Sequence, residues 1–448
     1  MVMEEQRRPT VAVVVLGDIG RSPRMRYHAS SLIEEGFNVN LIGYGGSEIP
    51  ELKKYPGRIS VSYVKDYISV TAQGMSRIFL YFIKVFALTL SLAWALNWRR
   101  PPLCVLVQNP PSIPALPVLY LYCLVTKAHF FIDWHNYGHT ILSLTLKPTH
   151  PLVSVCRWVE FHFGSRAVAG FCVTDAMRAD LNNHGLERVA TLYDLPSPAF
   201  KPISDEEKAK FLLRIGELYP KAFCCEDGGK KRVNRFAQLS EIGTAELKAE
   251  RPGLVVSATS WTEDEDFQMF LTALETYDAQ AVQNKVIAEL VVVITGKGPL
   301  KRKFVEIIDS IPWRRIVIVT PWLSAEDYPR MLASSDLGVS LHSSSSGLDL
   351  PMKVVDMFGA GLPVAALDFS CLEELVVNDK NGIVFNNASE LHAALVKWFK
   401  GPDFKNPNAG NTFHKTYRDN VKRFASRDWH SHWSDIALPE FKKFVSNP

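Results

Sequence analysis

From Ser345 to Val364 the chain reads Ser-Ser-Gly-Leu-Asp-Leu-Pro-Met-Lys-Val-Val-Asp-Met-Phe-Gly-Ala-Gly-Leu-Pro-Val, a small turn, a helix and a strand in immediate succession. The Ser345-Ser346-Gly347 turn lets backbone N–H groups approach an anion, and a helix starting near Pro351 aims the positive end of its dipole the same way. Lys353 and Asp356 stand three apart and share a face of that helix. A lysine there can pair with a diphosphate while the carboxylate accepts hydrogen bonds from two ribose hydroxyls, which suits a nucleoside diphosphate. Alone, a Lys/Asp helix pair is as readily a solvated surface feature. The turn before it and the Gly361-Leu362-Pro363-Val364 turn into a strand after it favour the functional reading.

Other residues of this kind lie elsewhere. Gly296-Lys297-Gly298 follows the apolar run Leu290 to Thr295 and lets a nucleotide close over it, with Lys297 as a second cation near a diphosphate, although a bare GKG turn is weak evidence. In the first half Asp18 stands at the tip of a β-branched run, and His135 follows Phe130-Phe131-Ile132-Asp133. Arg21 and Arg24, just past the Gly20 turn, suit a pyrophosphate as bidentate clamps. Arg178, at the helix start Asp175-Ala176-Met177-Arg178, is a weaker cation of the same kind, otherwise a surface charge. The turn Gly17-Asp18-Ile19-Gly20-Arg21-Ser22 is not GxGxxG, and the second strand ends in Gly43-Tyr44-Gly45-Gly46 with no ribose carboxylate. That excludes a nicotinamide dehydrogenase.

These residues need a scaffold of alternating strands and helices. With 448 residues, 47% of them apolar, the chain can bury two cores. Short β-branched runs at Val11–Leu16, Asn38–Gly43, Ile59–Val64, Leu103–Gln108, His129–Asp133, Ala169–Val173 and Val189–Leu192 predict one parallel sheet wound on both faces. A second is predicted by Leu254–Ala258, Leu290–Thr295, Ile316–Val319, Leu337–Leu341, Pro363–Ala366 and Gly382–Phe385. The expected division is residues 1–202, a charged mobile insertion at 203–252, a nucleotide-binding domain at 253–424, and a helix at 425–448 packing back on the first domain. Fifty Lys and Arg against 47 Asp and Glu, a net charge of +3, argue against a nucleic-acid partner held by a general basic field. The seven cysteines form no CxxC pair and fit small core hydrophobes in a reducing compartment.

Read in order, Val13 to Ala29, Ile132-Asp133-Trp134-His135-Asn136-Tyr137-Gly138-His139, Ser257 to Phe267, Ile294 to Leu300, Thr320-Pro321-Trp322-Leu323 and Ser345 to Val364 closely resemble the chitobiosyldiphosphodolichol beta-mannosyltransferases. The likeness covers nearly all of the chain outside about residues 203 to 250. It implies a GT-B glycosyltransferase, α/β, with two Rossmann-like domains facing across a cleft. It further implies transfer of mannose from GDP-mannose to dolichol-diphosphate-linked chitobiose, forming a beta-1,4 bond at the cytosolic face of the endoplasmic reticulum membrane. By this resemblance Pro321-Trp322-Leu323 lies beside the guanine, backbone groups reading the base edge with Trp322 packed nearby. Where many GT-B enzymes carry an Arg and a Lys for the phosphates, this chain has Ser260, Thr262, Glu263, Asp264 and Glu265. Phosphate charge then falls to the serine loop, the helix dipole, Lys353 and Lys297. No DxD-like motif ends a strand, so no divalent metal is expected to be required for donor binding, and no tightly bound cofactor is expected. Inversion at the anomeric carbon needs a base for the attacking hydroxyl. Asp18 is placed ahead of His135 for that role, with Asp133 orienting the imidazole, contributing to the acceptor side, or capping local backbone. A catalytically inactive scaffold of the same pathway and a retaining transferase using another sugar nucleotide are the competing readings, and other mannosyltransferases of that pathway are possible partners.

No signal peptide is legible, because Met1 to Arg8 is charged and the apolar run after it is too short, and the anchor that relatives often carry ahead of this strand finds no room in this sequence, being either naturally lacking or trimmed away. Membrane contact is therefore expected from Ile78 to Leu96, apolar apart from Lys84, Thr89 and Ser91. Strands before and after it belong to one parallel sheet, which rules out a single span. The segment reads as a crossover helix dipped into the interface, with Arg77, Lys84, Arg99 and Arg100 meeting anionic headgroups. An ordinary buried helix is the plainer alternative.

Overall fold

The computed structural model describes residues 8–65, 77–98, 100–227, 231–263, 265–406 and 412–445. Arg99 and Asp264 therefore lie outside the described residues, as does the side chain of Arg77. The chain divides into two units, Met1–Asp194 with Asp428–Pro448, and Leu195–Arg427.

The first unit holds seven strands, β1 (Thr10–Asp18), β2 (Asn38–Tyr44), β3 (Ile59–Tyr63), β4 (Cys104–Asn109), β5 (His129–Trp134), β6 (Ala169–Cys172) and β7 (Val189–Thr191). They are all parallel, in the order β3-β2-β1-β4-β5-β6-β7. Val11 to Val15 are buried without alternation, as a parallel strand covered on both faces requires. Val11, Val13 and Val15 share a core with Met25, Phe131 and Phe171. The same core receives the end of the chain, which forms two short helices, Trp429–Ile436 and Leu438–Lys442, broken at Ala437, two residues before Pro439. Trp433 donates from Nε1 to His28 Nδ1 at 2.8 Å, and Phe441 stacks on Phe131 with ring centres 4.7 Å apart. Because all strands run the same way, Asp18 and His135 leave the sheet at one edge, where such sheets bind ligands.

The second unit begins at Leu195 and takes in the segment expected to be a mobile insertion, and the structure corrects that reading for its described residues. Asp205–Leu218 is a helix closed by a capping box between Ser204 and Glu207, and it buries Ala209, Phe211, Leu212 and Ile215 in the core of the unit. Two antiparallel hairpins follow, β8 (Cys224–Asp227) with β9 (Lys231–Asn234), and β10 (Ala237–Leu239) with β11 (Ala245–Leu247). The charges of Asp205–Leu218 are the solvent side of an amphipathic helix, while Gly228, Gly229 and Lys230 of the charged run lie outside the described residues. The main sheet is again wholly parallel. Its strands β12 (Gly253–Ala258), β13 (Leu290–Thr295), β14 (Ile316–Val319), β15 (Leu337–Ser340), β16 (Val364–Leu367) and β17 (Gly382–Phe385) lie in the order β14-β13-β12-β15-β16-β17. Cys104, Cys123, Cys156, Cys172 and Cys371 are buried, and burial pushes the Cys123 and Cys172 thiols up to about 12, so both behave as inert core groups.

Candidate active site

In the first unit the buried carboxylate of Asp133 organises the carboxyl edge of the sheet. Arg24 grips it with both arms, Nε to Oδ2 and the second terminal nitrogen to Oδ1, each at 2.8 Å. The remaining nitrogen of Arg24 donates to Leu192 O at 2.8 Å and Asp194 Oδ1 at 2.9 Å. His135 Nε2 lies 2.7 Å from Asp133 Oδ2, and His28 Nε2 is 3.2 Å from the same oxygen but poorly aligned with it. Burial alone would raise the Asp133 pKa, but Arg24, His135 and His28 hold it well below the ordinary carboxylate value. Burial pushes the His28 pKa down, so this imidazole is neutral, and its Nδ1 accepts from Trp433. An ionised Asp133 accepts from His135, which assigns the proton to Nε2 and leaves Nδ1 as the basic nitrogen of a half-buried ring. That is the arrangement of a general base oriented by a carboxylate.

Asp18 is differently employed. Its Oδ1 accepts from Gly20 N at 3.1 Å and Ser47 N at 3.2 Å, and its Oδ2 accepts from Ser47 Oγ at 2.6 Å. The Ser47 hydroxyl, with the backbone bonds and Arg21, holds its pKa below the usual value, which weakens it as a proton acceptor. Asp18 caps the Ile19–Arg21 turn and ties it to Gly46-Ser47. Arg24, expected to clamp a pyrophosphate, is buried and fully engaged by Asp133, Asp194 and Leu192, so it offers no edge to a ligand. Asp133 likewise is buried, and its contact toward the half-buried edge is with His135. Arg21 is 81% exposed and held loosely, its Nε 3.2 Å from Ser47 Oγ and 3.5 Å from Asp18. Arg178 is half-exposed and paired with Asp175 at 3.0 Å.

In the second unit the loops leaving β12, β13 and β15 meet over the Met352–Gly359 helix. Lys353 Nζ lies 2.7 Å from Glu265 Oε1 and 3.2 Å from Ser260 Oγ. Glu265 is buried and also accepts from Ser260 N at 2.9 Å and from the Thr259 hydroxyl. A Cβ on Gly296 or Gly298 would sit 1.8 Å from the carbonyl oxygen of Thr259 or Ser260, so only glycine allows this approach of the two loops. Lys301 donates to Gly296 O at 3.1 Å and Thr320 O at 2.8 Å, fixing the β13 loop to the end of β14. Lys297 stands 4.1 Å over the Trp322 ring, which is exposed, whereas the Leu323 side chain packs in the core and can present only its backbone to a base. In the serine loop Gly347 N–H donates to Ser344 Oγ at 2.9 Å and Leu348 N–H to Ser346 Oγ at 3.2 Å. These backbone donors, expected to meet an anion, are thus occupied by serine hydroxyls that a phosphate would have to replace. Ser345 lies between them in the loop, and Gly347 takes a φ of +73° that favours glycine. Asp356 is half-buried one turn after Lys353.

Residues 251–400 match a family described as Glycosyl transferases group 1. The Homo sapiens chitobiosyldiphosphodolichol beta-mannosyltransferase is 40% identical over 433 residues, covering 96% of this chain and 92% of the human protein. The chain belongs to the chitobiosyldiphosphodolichol beta-mannosyltransferase family. A Candida glabrata member is 35% identical over 443 residues, with 96% of this chain and 90% of that protein covered. A relative from Arabidopsis thaliana named UDP-glycosyltransferase TURAN is 38% identical over 475 residues, with 98% of each chain covered. Among solved structures, sucrose-phosphate synthase from Thermosynechococcus elongatus matches at a TM-score of 0.65 and 11% identity, covering 98% of this chain and 100% of that one. Anabaena HepE in complex with UDP and glucose matches at 0.62 and 12%, covering 97% and 100%. These likenesses establish the GT-B fold.

In this member of the beta-mannosyltransferase family, sequence reasoning passed over three positioning residues. Glu160 is fully buried and accepts from Gly138 N at 2.6 Å, His139 Nδ1 at 2.5 Å and Asn109 Nδ2 at 2.9 Å, fixing the segment that follows His135. A glutamate inside the apolar pattern of Pro151–Gly164 was the available signal. Glu265 was read only as a missing cation, and Lys301 was not singled out.

Proposed function

We propose that this chain transfers mannose from GDP-mannose to the terminal sugar of dolichol-diphosphate-linked chitobiose with inversion, forming a beta-1,4 bond, and that His135 is the base. The acceptor hydroxyl oxygen attacks the anomeric carbon as the bond to the diphosphate oxygen breaks. The hydroxyl proton passes to His135 Nδ1, and GDP leaves with the bonding electron pair. The observation that carries the base assignment is the 2.7 Å contact between His135 and the buried, ionised Asp133. The acceptor reading rests on the names of the relatives that match over 96% of the chain. Lys353, Lys297, Ser260 and the Ser345–Gly347 loop serve the diphosphate, Asp356 the ribose, and the Trp322-Leu323 backbone with the Trp322 ring the base. This set needs no metal bridge, so chelation should leave donor binding intact. Arg21 is the cation left for the acceptor pyrophosphate, with Arg178 secondary.

Membrane contact is supported by the Arg77–Ala95 helix. Phe82, Phe86, Leu90 and Trp94 recur every fourth residue and are exposed, Trp94 by 91%, while Leu92 on the other side is buried. Neighbouring helices add exposed Leu121, Leu124 and Val125, and Val155 and Trp158. Lys84, Arg100 and Lys127 are exposed cations of the same region. Among the described residues no helix is long and apolar enough to cross a membrane. The seat of this surface is the cytosolic face of the endoplasmic reticulum, where the pathway's other mannosyltransferases would be neighbours.

Turnover of GDP-mannose, UDP-glucose and UDP-mannose on a phytanyl-linked chitobiose diphosphate tests the donor and acceptor together. A mannosyl product from GDP-mannose alone, cleaved by beta-mannosidase, is expected. Preference for a UDP-sugar, as the name of the Arabidopsis relative invites, or an alpha product would reject the reading.

A further inference from the structure

The strand ends opposite the nucleotide loops enclose a second polar cavity, within the second unit. Arg251 precedes β12 and Asp336 precedes β15, whereas Ser260 and Ser344 follow these strands, so a strand length of roughly 15–20 Å separates the two places. The cavity has a volume of about 300 Å³ and is lined by Lys208, Arg251, Lys405, Arg418 and Lys422, against Asp205 and Asp336. An adjoining hollow shares Arg251 and Lys405 and adds Arg235, Lys248, Lys285 and Arg315, against Glu250 and Glu289. Nine cations thus face four carboxylates in a chain whose whole excess is three.

Most of these charges are paired within the protein. Asp336 takes Arg251 through two bonds of 2.7 and 2.8 Å, Asp205 takes Lys208 at 2.9 Å, Glu250 takes Lys405 at 2.9 Å, and Glu289 takes Arg235 and Arg315. Of the other four cations, Lys248 donates to Asn234 O at 2.6 Å and Lys285 lies in the adjoining hollow, while Arg418 and Lys422, one turn apart on the Phe413–Ala425 helix, make no hydrogen bond to a carboxylate among the described residues. Among the described residues the nearest carboxylate oxygen to Arg418 is 4.0 Å away on the Asp336 already spent on Arg251, and its Nε has no hydrogen-bond partner. Burial and the adjacent Arg251 hold its pKa below the ordinary guanidinium value despite Asp336, the mark of an under-compensated cation. Ser334, more than nine-tenths buried in the same wall, has a hydroxyl without a partner among the described residues. A forked cation, an ammonium and an unspent hydroxyl around a small cavity match the oxygens of a phosphate group.

We propose that this cavity binds a small phosphate-bearing anion, at a site separate from the one that holds the sugar nucleotide. The phosphate takes paired bonds from Arg418, an ion pair from Lys422 and a hydrogen bond from Ser334, and the adjoining basic hollow receives whatever further charge the ligand carries. The site joins Pro202–Lys208, where the chain has just entered this unit, to the Phe413–Ala425 helix by which it leaves, so occupancy braces the two strands of chain at the unit's boundary.

Calorimetric titration of the full chain with inorganic pyrophosphate tests this, using unsubstituted protein, Lys422→Glu, Arg418→Gln and Lys353→Ala. Lys422 is exposed, so its substitution leaves folding aside. Saturable binding weakened about tenfold or more by Lys422→Glu and by Arg418→Gln, and present in Lys353→Ala, is expected. Pelleting with vesicles containing phosphatidylinositol 4-phosphate distinguishes the source. A loss of pelleting in Lys422→Glu assigns the phosphate to a lipid headgroup, and unchanged pelleting assigns it to a soluble compound. No saturable binding of either probe to the unsubstituted protein, or binding altered only by Lys353→Ala, overturns the proposal.

Discussion

His135 Nε2 lies 2.7 Å from Asp133 Oδ2, and both oxygens of that buried carboxylate are held by Arg24 as well. The imidazole is therefore fixed in orientation and tautomer by a charge that cannot turn away. Asp133→Asn should lower turnover by disturbing the tautomer, and it also strips Arg24 of its bidentate partner, costing about 3–5 kcal/mol as breaking a buried pair usually does. Urea unfolding alongside initial rates checks both, and a variant of full stability and rate would refute the role given to Asp133.

The same cluster makes stability depend on pH in two steps. His28 has a lowered pKa because of burial, so the unfolded chain protonates first and stability declines as pH falls below about 6.5. His414, lowered by the same cause, adds to this limb. Asp133 has a depressed folded pKa, so its contribution is complete above about pH 3.9, the unfolded value, and is lost as pH drops further. His28→Asn should flatten the limb between pH 6.5 and 5, read by equilibrium denaturation, whereas an unaltered slope there would count against a neutral His28.

By the proposed function Lys353 holds the donor's diphosphate, and it also pairs with the buried Glu265. Lys353→Met should weaken GDP-mannose binding about tenfold to a hundredfold and reduce stability by about 1–3 kcal/mol, because Glu265 loses its counter-charge. Adding Glu265→Gln should restore stability without restoring affinity. If the double variant recovers both, Lys353 acts through the loop and not on the phosphates.

Much of this arrangement could be read from the chain, and the remainder shares one physical cause. Thirteen β-branched runs mark the thirteen strands of the two main sheets, because buried parallel strands need continuous apolar residues. The turns at Gly296 and Gly347 and the helix that carries Lys353 were legible because local turn chemistry signals them. Arg24 was misread because its partners Asp133 and Asp194 lie 109 and 170 residues along the chain. Nothing local distinguishes an arginine that braces a core from one that awaits a phosphate. The misreading of residues 203–252 was avoidable, since Ser204 with Glu207 is a capping-box pattern followed by Ala209, Leu212 and Ile215 at helical spacing, hidden only by the density of charge.

The exposed stripe on Arg77–Ala95 yields a separable test. Replacing Phe86 and Trp94 with Glu should release the protein from liposomes of anionic lipid while transfer to a short-chain, soluble acceptor persists. Equal flotation of parent and variant would remove this surface from the account.

The assignment of the base is decided by comparing His135→Gln with Asp18→Asn in single-turnover transfer from GDP-mannose at saturating acceptor. Loss of general-base catalysis typically costs ~10²–10⁴-fold. His135→Gln should fall by that amount at unchanged donor affinity. Asp18→Asn should keep most of its rate, since its carboxylate serves the Gly20 and Ser47 turn. A nearly active His135→Gln beside a dead Asp18→Asn would contradict the account and return the role to Asp18.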